Sequence, residues 1–137
     1  MGKVQILAVL TIDGCLSSEL YGKAHKDLRL DRCGLDEIRK NALYRVTPDY
    51  SISMLHEWRE DGTNTCYLAE ATSDTADYIN GLLRMQAVDE IILYTIPFIA
   101  GTGRHFFKSA LYEKHWTLAS LKSYPNGVCR SIYALDR

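Results

Sequence analysis

The sequence predicts an α/β fold: a mixed sheet with flanking helices and an antiparallel hairpin at the C-terminus. Three observations carry this. Two near-continuous apolar runs, 3–11 (KVQILAVLT) and 91–99 (IILYTIPFI), read as central strands covered on both faces. Ala76, Ile79, Leu82 and Leu83 recur at helical spacing between them, so a helix interleaves with strands. Finally, Pro125-Asn126-Gly127 separates two alternating runs, 116–124 and 128–135, and Asn-Gly in that setting is a hairpin signal.

The other elements follow in order. Asp13-Gly14 ends the first strand with a turn, and 17–31, polar and without period, reads as a loop. Gly34 precedes a short helix over 35–44, in which Leu35, Ile38, Ala42 and Leu43 share a face. Beyond the break at Pro48-Asp49, Tyr50, Ile52 and Met54 alternate with Ser51 and Ser53, which predicts a half-buried strand over 50–55. A turn cluster at 60–64 leads to a second buried strand, 65–69 (TCYLA). Thr72, Ser73 and above all Asp74 are N-cap candidates for the helix, which should run to about Gln86. Gly101-Thr102-Gly103 closes the 91–99 strand, and a loop through His105, Phe106 and Phe107 follows.

The chain of 137 residues buries about two-thirds of its unfolded surface by size scaling, enough for one core and too little for two. It shows no repeat, linker or low-complexity stretch, and the reading is a single domain over 1–137. Sixteen basic against seventeen acidic residues, singly scattered, argue against nucleic acid as a partner. No apolar run approaches the roughly 20 residues of a membrane span, and the N-terminus reads as a strand rather than a signal peptide. A cytoplasmic location is therefore expected. Cys15, Cys33, Cys66 and Cys129 form no C-x-x-C pair and do not pair with His25, His56, His105 or His115 at zinc spacing, so no metal site is expected. Cys66 and Cys129, inside predicted strands, read as small buried hydrophobes.

Ligands of such sheets bind beyond the carboxyl ends of the strands, here 11–14, 70–74 and 100–103. Asp13 is either an active-site carboxylate or half of an Asp-Gly turn, and Glu70 faces a cleft or tips an exposed strand end. Gly101-Thr102-Gly103 is a phosphate turn or a tight turn, and Asp74 reads first as a helix cap. His105 with Arg104 could meet an anionic substrate; the other histidines read as surface residues, and Trp58 and Trp116 as packing.

Three stretches resemble a known family. ILAVLTIDG at 6–14, YLAEATSDTADYINGLLRMQAVDEI at 67–91 and IILYTIPFIAGTGRHFF at 91–107 are similar, in order, to segments of the dihydrofolate reductase-like fold. Within that fold they resemble in particular the reductase domain of bacterial riboflavin biosynthesis, the RibD C-terminal domain. The last stretch, with Pro, Gly-x-Gly and Phe, is the most specific, and the resemblance spans some 70–80 residues.

The resemblance implies an oxidoreductase that uses NADPH to move hydride to a small heterocyclic or carbonyl substrate, of the 5-amino-6-(5-phosphoribosylamino)uracil or dihydrofolate type. By position it places Ala8 and Val9 near the nicotinamide and Asp13 at the mouth between cofactor and substrate. Glu70 falls on an acidic substrate-contacting position, so Asp13 and Glu70 are the candidate catalytic residues. Thr72, Ser73 and Asp74 fall on the pyrophosphate turn, with Gly101, Thr102 and Gly103 as further cofactor contacts. Two departures stand out. Ala71-Thr72-Ser73-Asp74 replaces the family's glycines, and Asp74 brings a carboxylate toward a phosphate position. The family's Gly-Arg-x-Thr strand and helix start, which grips the adenosine phosphate, finds no match between Leu43 and Thr65. Both open an alternative, a non-catalytic ligand-binding or interaction protein of the same fold. A homodimer is also expected, built on the 91–99 strand and exposed Phe106 and Phe107.

Overall fold

The computed structural model describes residues 2–16, 33–42, 44–60, 65–101, 105–108, 111 and 113–136. A six-stranded sheet runs in the order β2-β3-β1-β4-β6-β5. Its strands are β1 (Lys3–Leu10), β2 (Tyr44–Arg45), β3 (Cys66–Glu70), β4 (Glu90–Thr95), β5 (Trp116–Ser123) and β6 (Cys129–Leu135). The first four in sequence are mutually parallel, while β4–β6 and β6–β5 pair antiparallel. This is the mixed sheet and C-terminal hairpin that the sequence predicts.

Helices α1 (Leu35–Asn41), α2 (Ile52–Glu60) and α3 (Ala76–Arg84) flank the sheet. Because strand side chains alternate in direction, β1 feeds both layers of the core. Val4, Ile6, Ala8 and Leu10 pack with Leu55 of α2 and with Ala76, Ile79 and Leu82 of α3. Leu7 points the other way, toward Leu68, Ile92, Tyr94 and Leu35 at the start of α1. Charge placement suits the α1 dipole, with Asp36 and Glu37 in its first turn and Arg39 and Lys40 in its last.

Several boundaries depart from expectation. Residues 50–55 do not form a strand: Ile52–Glu60 is helical, because Ile52, Leu55 and Trp58 lie three apart and all pack on the core. The 35–44 helix stops at Asn41, and Tyr44 pairs with Tyr67 as part of β2. Helix α3 ends at Arg84 rather than Gln86, since Gln86 takes a left-handed φ of 56° that closes the turn. Its N-cap position is Thr75, not Asp74, and carries no side-chain cap bond. Strand β4 stops at Thr95, two residues before Pro97, which has no N–H to donate. The predicted 17–31 loop and most of the 60–64 turn lie outside the described residues.

The hairpin turn depends on Gly127, whose φ of +88° is left-handed and whose missing Cβ leaves room for the Pro97 ring. Cys66 and Cys129 are only half-buried, which corrects the expectation that they are buried; Cys15 and Cys33 are the buried thiols. Phe106 is fully buried rather than exposed, and only Phe107, edge-on to it at 4.9 Å, reaches solvent. Asn80 explains why: its amide donates to the carbonyls of Ala76 and Phe106 and its oxygen accepts from the Lys108 amide, tying the 106–108 segment to α3. Strand β4 lies between β1 and β6, so it offers no free edge for pairing with another chain. No helix among the described residues is long and apolar enough to cross a membrane.

Candidate functional site

The carboxyl ends of β3, β1 and β4 meet on one rim of the sheet. Beyond β1 the chain turns through Thr11–Cys15, where the amide of Gly14 donates to the Thr11 carbonyl and that of Thr11 to the Cys15 carbonyl. The turn is pinned to the segment after β4, since the Ile12 amide donates to the Phe98 carbonyl and the Phe106 amide to the Gly14 carbonyl. Asp13 sits at this junction. Its Oδ1 accepts from the Thr11 hydroxyl and from the Ala100 amide at 3.1 Å, and its Oδ2 accepts from the Gly101 amide at 3.0 Å. Gly101 presents that amide with a φ of +71°, a conformation that glycine alone adopts without strain. The Thr11 hydroxyl, then the two amides, favour the ionised carboxylate and hold Asp13 down at about 2. The structure thus joins Asp13 and Gly101, two residues 88 positions apart.

Glu70 has a different setting. It ends β3 opposite Leu7 of β1, and its Oε1 accepts from Arg39 of α1 while its Oε2 accepts from Arg45 of β2 at 2.9 Å. Arg39 also lies 3.6 Å from Asp36, one turn back on α1. Glu70 raises the Arg39 guanidinium above its ordinary range. Neither arginine was marked by the sequence, because 31 and 25 residues separate them from Glu70 and no local pattern links them. Glu70 and Asp13 take separate sets of partners.

The turn after Glu70 leads into α3. The Ala71 amide donates to the Leu7 carbonyl, and the Thr72 amide to the Thr75 hydroxyl, which in turn donates to the Glu70 carbonyl. Thr75 and Ala76 amides donate to the Thr72 carbonyl. The only left-handed non-glycine residue described is Gln86, so this turn forms without the backbone conformations that glycines allow. The amides of Ser73 and Asp74 take no acceptor among the described residues. Asp74 and Asp77 place two carboxylates at the start of α3.

Ala8 is buried in the α2–α3 layer, and Val9, pairing with Tyr94, is half-buried on the α1 side. Thr102, Gly103 and Arg104 lie outside the described residues, as does His25. Between Leu43 and Thr65, where the sequence offers no Gly-Arg-x-Thr match, strand β2 leads into α2. Under α2, Tyr44, Tyr50, Val46, Trp58 and Tyr67 line an aromatic groove of about 270 Å³. Trp58 stacks on Tyr67 at 5.8 Å, which bears out its packing role. His115 is exposed and bonded to Asp136. Among the described residues no cluster could hold a metal ion.

No family model and no curated protein matches the chain. Solved structures do. A riboflavin biosynthesis protein from Shewanella sp. PV-4 superposes with a TM-score of 0.63 at 13% identity, over 98% of this chain and 99% of that one. RibD from Acinetobacter baumannii gives 0.62 at 13% identity over 99% of this chain, which spans 58% of that protein. A dihydrofolate reductase from Enterococcus faecalis, in complex with NADP(H), gives 0.61 at 11% identity over 98% of this chain and 97% of that one. The order of elements, the parallel centre and the closing hairpin are therefore those of the dihydrofolate reductase-like fold, shared with the riboflavin-biosynthesis reductases.

Proposed function

We propose that this chain is an NADPH-dependent reductase acting on a small heterocyclic or carbonyl substrate, of the riboflavin-biosynthesis or dihydrofolate type. The observation that carries the reading is the junction at the strand ends, where Asp13 binds the Ala100 and Gly101 amides, in a chain that superposes on a dihydrofolate reductase over 98% of its own length.

The turn after β3 fits a phosphate group in two respects. The Ser73 and Asp74 amides have no acceptor among the described residues, and they lie just before the start of α3, where the helix dipole favours an anion. When bound, the cofactor supplies hydride from its nicotinamide. The chain's own parts are then distinct. Thr72, Ser73 and Asp74 would hold the pyrophosphate and Gly101 would be a further contact, while β1 at Ala8 and Val9 would offer the nicotinamide its backbone, because the two side chains enter opposite core layers. Asp13, ionised at neutral pH, acts as a positioning residue: it fixes the mouth by fastening the β1 turn to the Gly101 turn. Glu70, oriented by Arg39 and Arg45, faces the substrate with a carboxylate that accepts hydrogen bonds from a ring N–H.

Titration with NADPH and with NADH, followed by nicotinamide fluorescence, tests the reading. Micromolar binding that prefers NADPH is expected, tightened several-fold in Asp74→Asn because a like charge leaves the phosphate. No binding at millimolar NADPH would sink it. The second reading, a non-catalytic binder of the same fold, draws on Asp74 and Asp77, whose carboxylates at the helix start oppose an anionic ligand. It expects no cofactor binding from either variant or parent.

A further inference from the structure

We infer that Asn80 is a positioning residue for the candidate site: through the 105–108 segment it fastens the β1 turn that carries Asp13 to α3. Its place at a substrate mouth rests on the reductase reading, whereas the linkage itself is measured without cofactor.

The buried polar side chains among the described residues are Thr11 and Asn80, and both lie on this linkage. Asn80 has no exposure and sits on the core face of α3 with Ala76, Ile79 and Leu82. An apolar residue there would avoid the cost of desolvating an amide, which a core tolerates only when its hydrogen bonds are made. They are made, and two of the three leave the helix. Its Nδ2 donates to the Phe106 carbonyl at 2.8 Å as well as to the Ala76 carbonyl, and its Oδ1 accepts from the Lys108 amide at 3.0 Å.

Phe106 passes the constraint on. Its ring is fully buried in the α2–α3 layer, and its amide donates to the Gly14 carbonyl at 3.0 Å. Beside it, His105 and Cys15 form an antiparallel bridge. One residue, bonded on both sides, therefore joins α3 to the neighbour of Asp13. At the far end the Thr11 hydroxyl donates to Asp13 and accepts from the Cys15 amide at 3.0 Å, and Asp13 takes the Ala100 and Gly101 amides. Because α3 starts directly after the 71–75 turn, one helix adjoins both the phosphate turn of the reductase reading and the mouth.

Alkylation of the full chain by iodoacetamide, read for each cysteine by mass spectrometry, tests the linkage. Cys15, 3% exposed in the β1 turn, is the reporter, and Cys33, buried in the α1 layer, is the internal control. Asn80→Leu keeps the volume and removes all three bonds. Asn80→Thr is the milder variant, since its hydroxyl can still meet the Ala76 carbonyl four residues back. In both, Cys15 should react about tenfold faster than in the parent or more, with Cys33 within about twofold. A second readout separates positioning from loss of stability. The Thr11 hydroxyl and the two amides hold Asp13 at about 2 in the parent, and in Asn80→Leu its carboxyl carbon should titrate closer to 3.8. Leu68→Val, a buried change in the other layer, should move neither readout. Where the parent binds NADPH, saturation should slow Cys15 roughly threefold more in the parent than in Asn80→Leu. A parent that binds none ends the reductase reading alone, and Cys15 and Asp13 still decide the linkage. Unchanged Cys15 rates in both variants, an Asp13 that still titrates at about 2 in Asn80→Leu, or equal slowing by NADPH would overturn the inference.

Discussion

Strands β1 and β4 are shielded from solvent along most of their length, whereas β5 is exposed at six of its eight positions and β6 is half-buried throughout. The parallel half is held by apolar burial on both faces. The hairpin half is held by its ladder, its turn and a few surface contacts. The candidate site belongs to the first half, since Asp13, Glu70 and the 71–75 turn all leave the ends of buried strands. A rim built on a packed floor keeps its geometry, which is what orienting a ligand requires.

Substitutions can break or sharpen this contrast. Leu68→Ala empties a fully buried position between β1, β2 and α1 and should cost about 2–5 kcal/mol in urea unfolding. A cost under about 1 kcal/mol would mean that the parallel half is looser than its burial indicates. Gly127→Ala in the hairpin should cost about 1–2 kcal/mol for the left-handed backbone, with added crowding from Pro97 at 3.2 Å. A neutral result would show that the turn relaxes.

The third test uses pH. Asp13 lies below its ordinary value in the folded chain, about 2 against 3.8, so it binds fewer protons than when unfolded. Its contribution to stability is present above about pH 4 and is lost as pH falls toward about 2. Urea midpoints of parent and Asp13→Asn should therefore differ most near neutral pH and converge through that window. Parallel curves would remove the ionised anchor from the account. The smallest effect is expected from Lys122→Gln, which loses a cation at 5.2 Å over the Tyr124 ring and should cost about 0.5–1 kcal/mol.

Much of this was legible from residues alone, for definable reasons. The apolar runs of β1 and β4 exceed what a solvated strand carries, and Asn126-Gly127 encodes its turn locally. The α2 segment was illegible because 50–55 satisfies period two and 52–58 satisfies a helix equally well. Packing of Leu55 under the sheet settles the choice, and no short window contains that contact. The same limit hid the partners of Glu70: a carboxylate's position can be read from sequence, but its cations arrive from other elements. Phe106 misled for a related reason, since a loop aromatic looks exposed until Asn80 is seen to draw its backbone inward.

The four thiols offer a different use of the fold. Cys15 and Cys33 are sealed, the latter with its carbonyl receiving both the Tyr94 and Tyr124 hydroxyls, while Cys66 and Cys129 are half-accessible. Alkylation kinetics should consequently split into two classes without any engineered label. The quick pair reports breathing of strand ends, and the slow pair reports opening of the α1 layer and of the β1 turn. A ligand that seats on the rim would then announce itself as a slower second class, read by mass spectrometry on the unaltered chain.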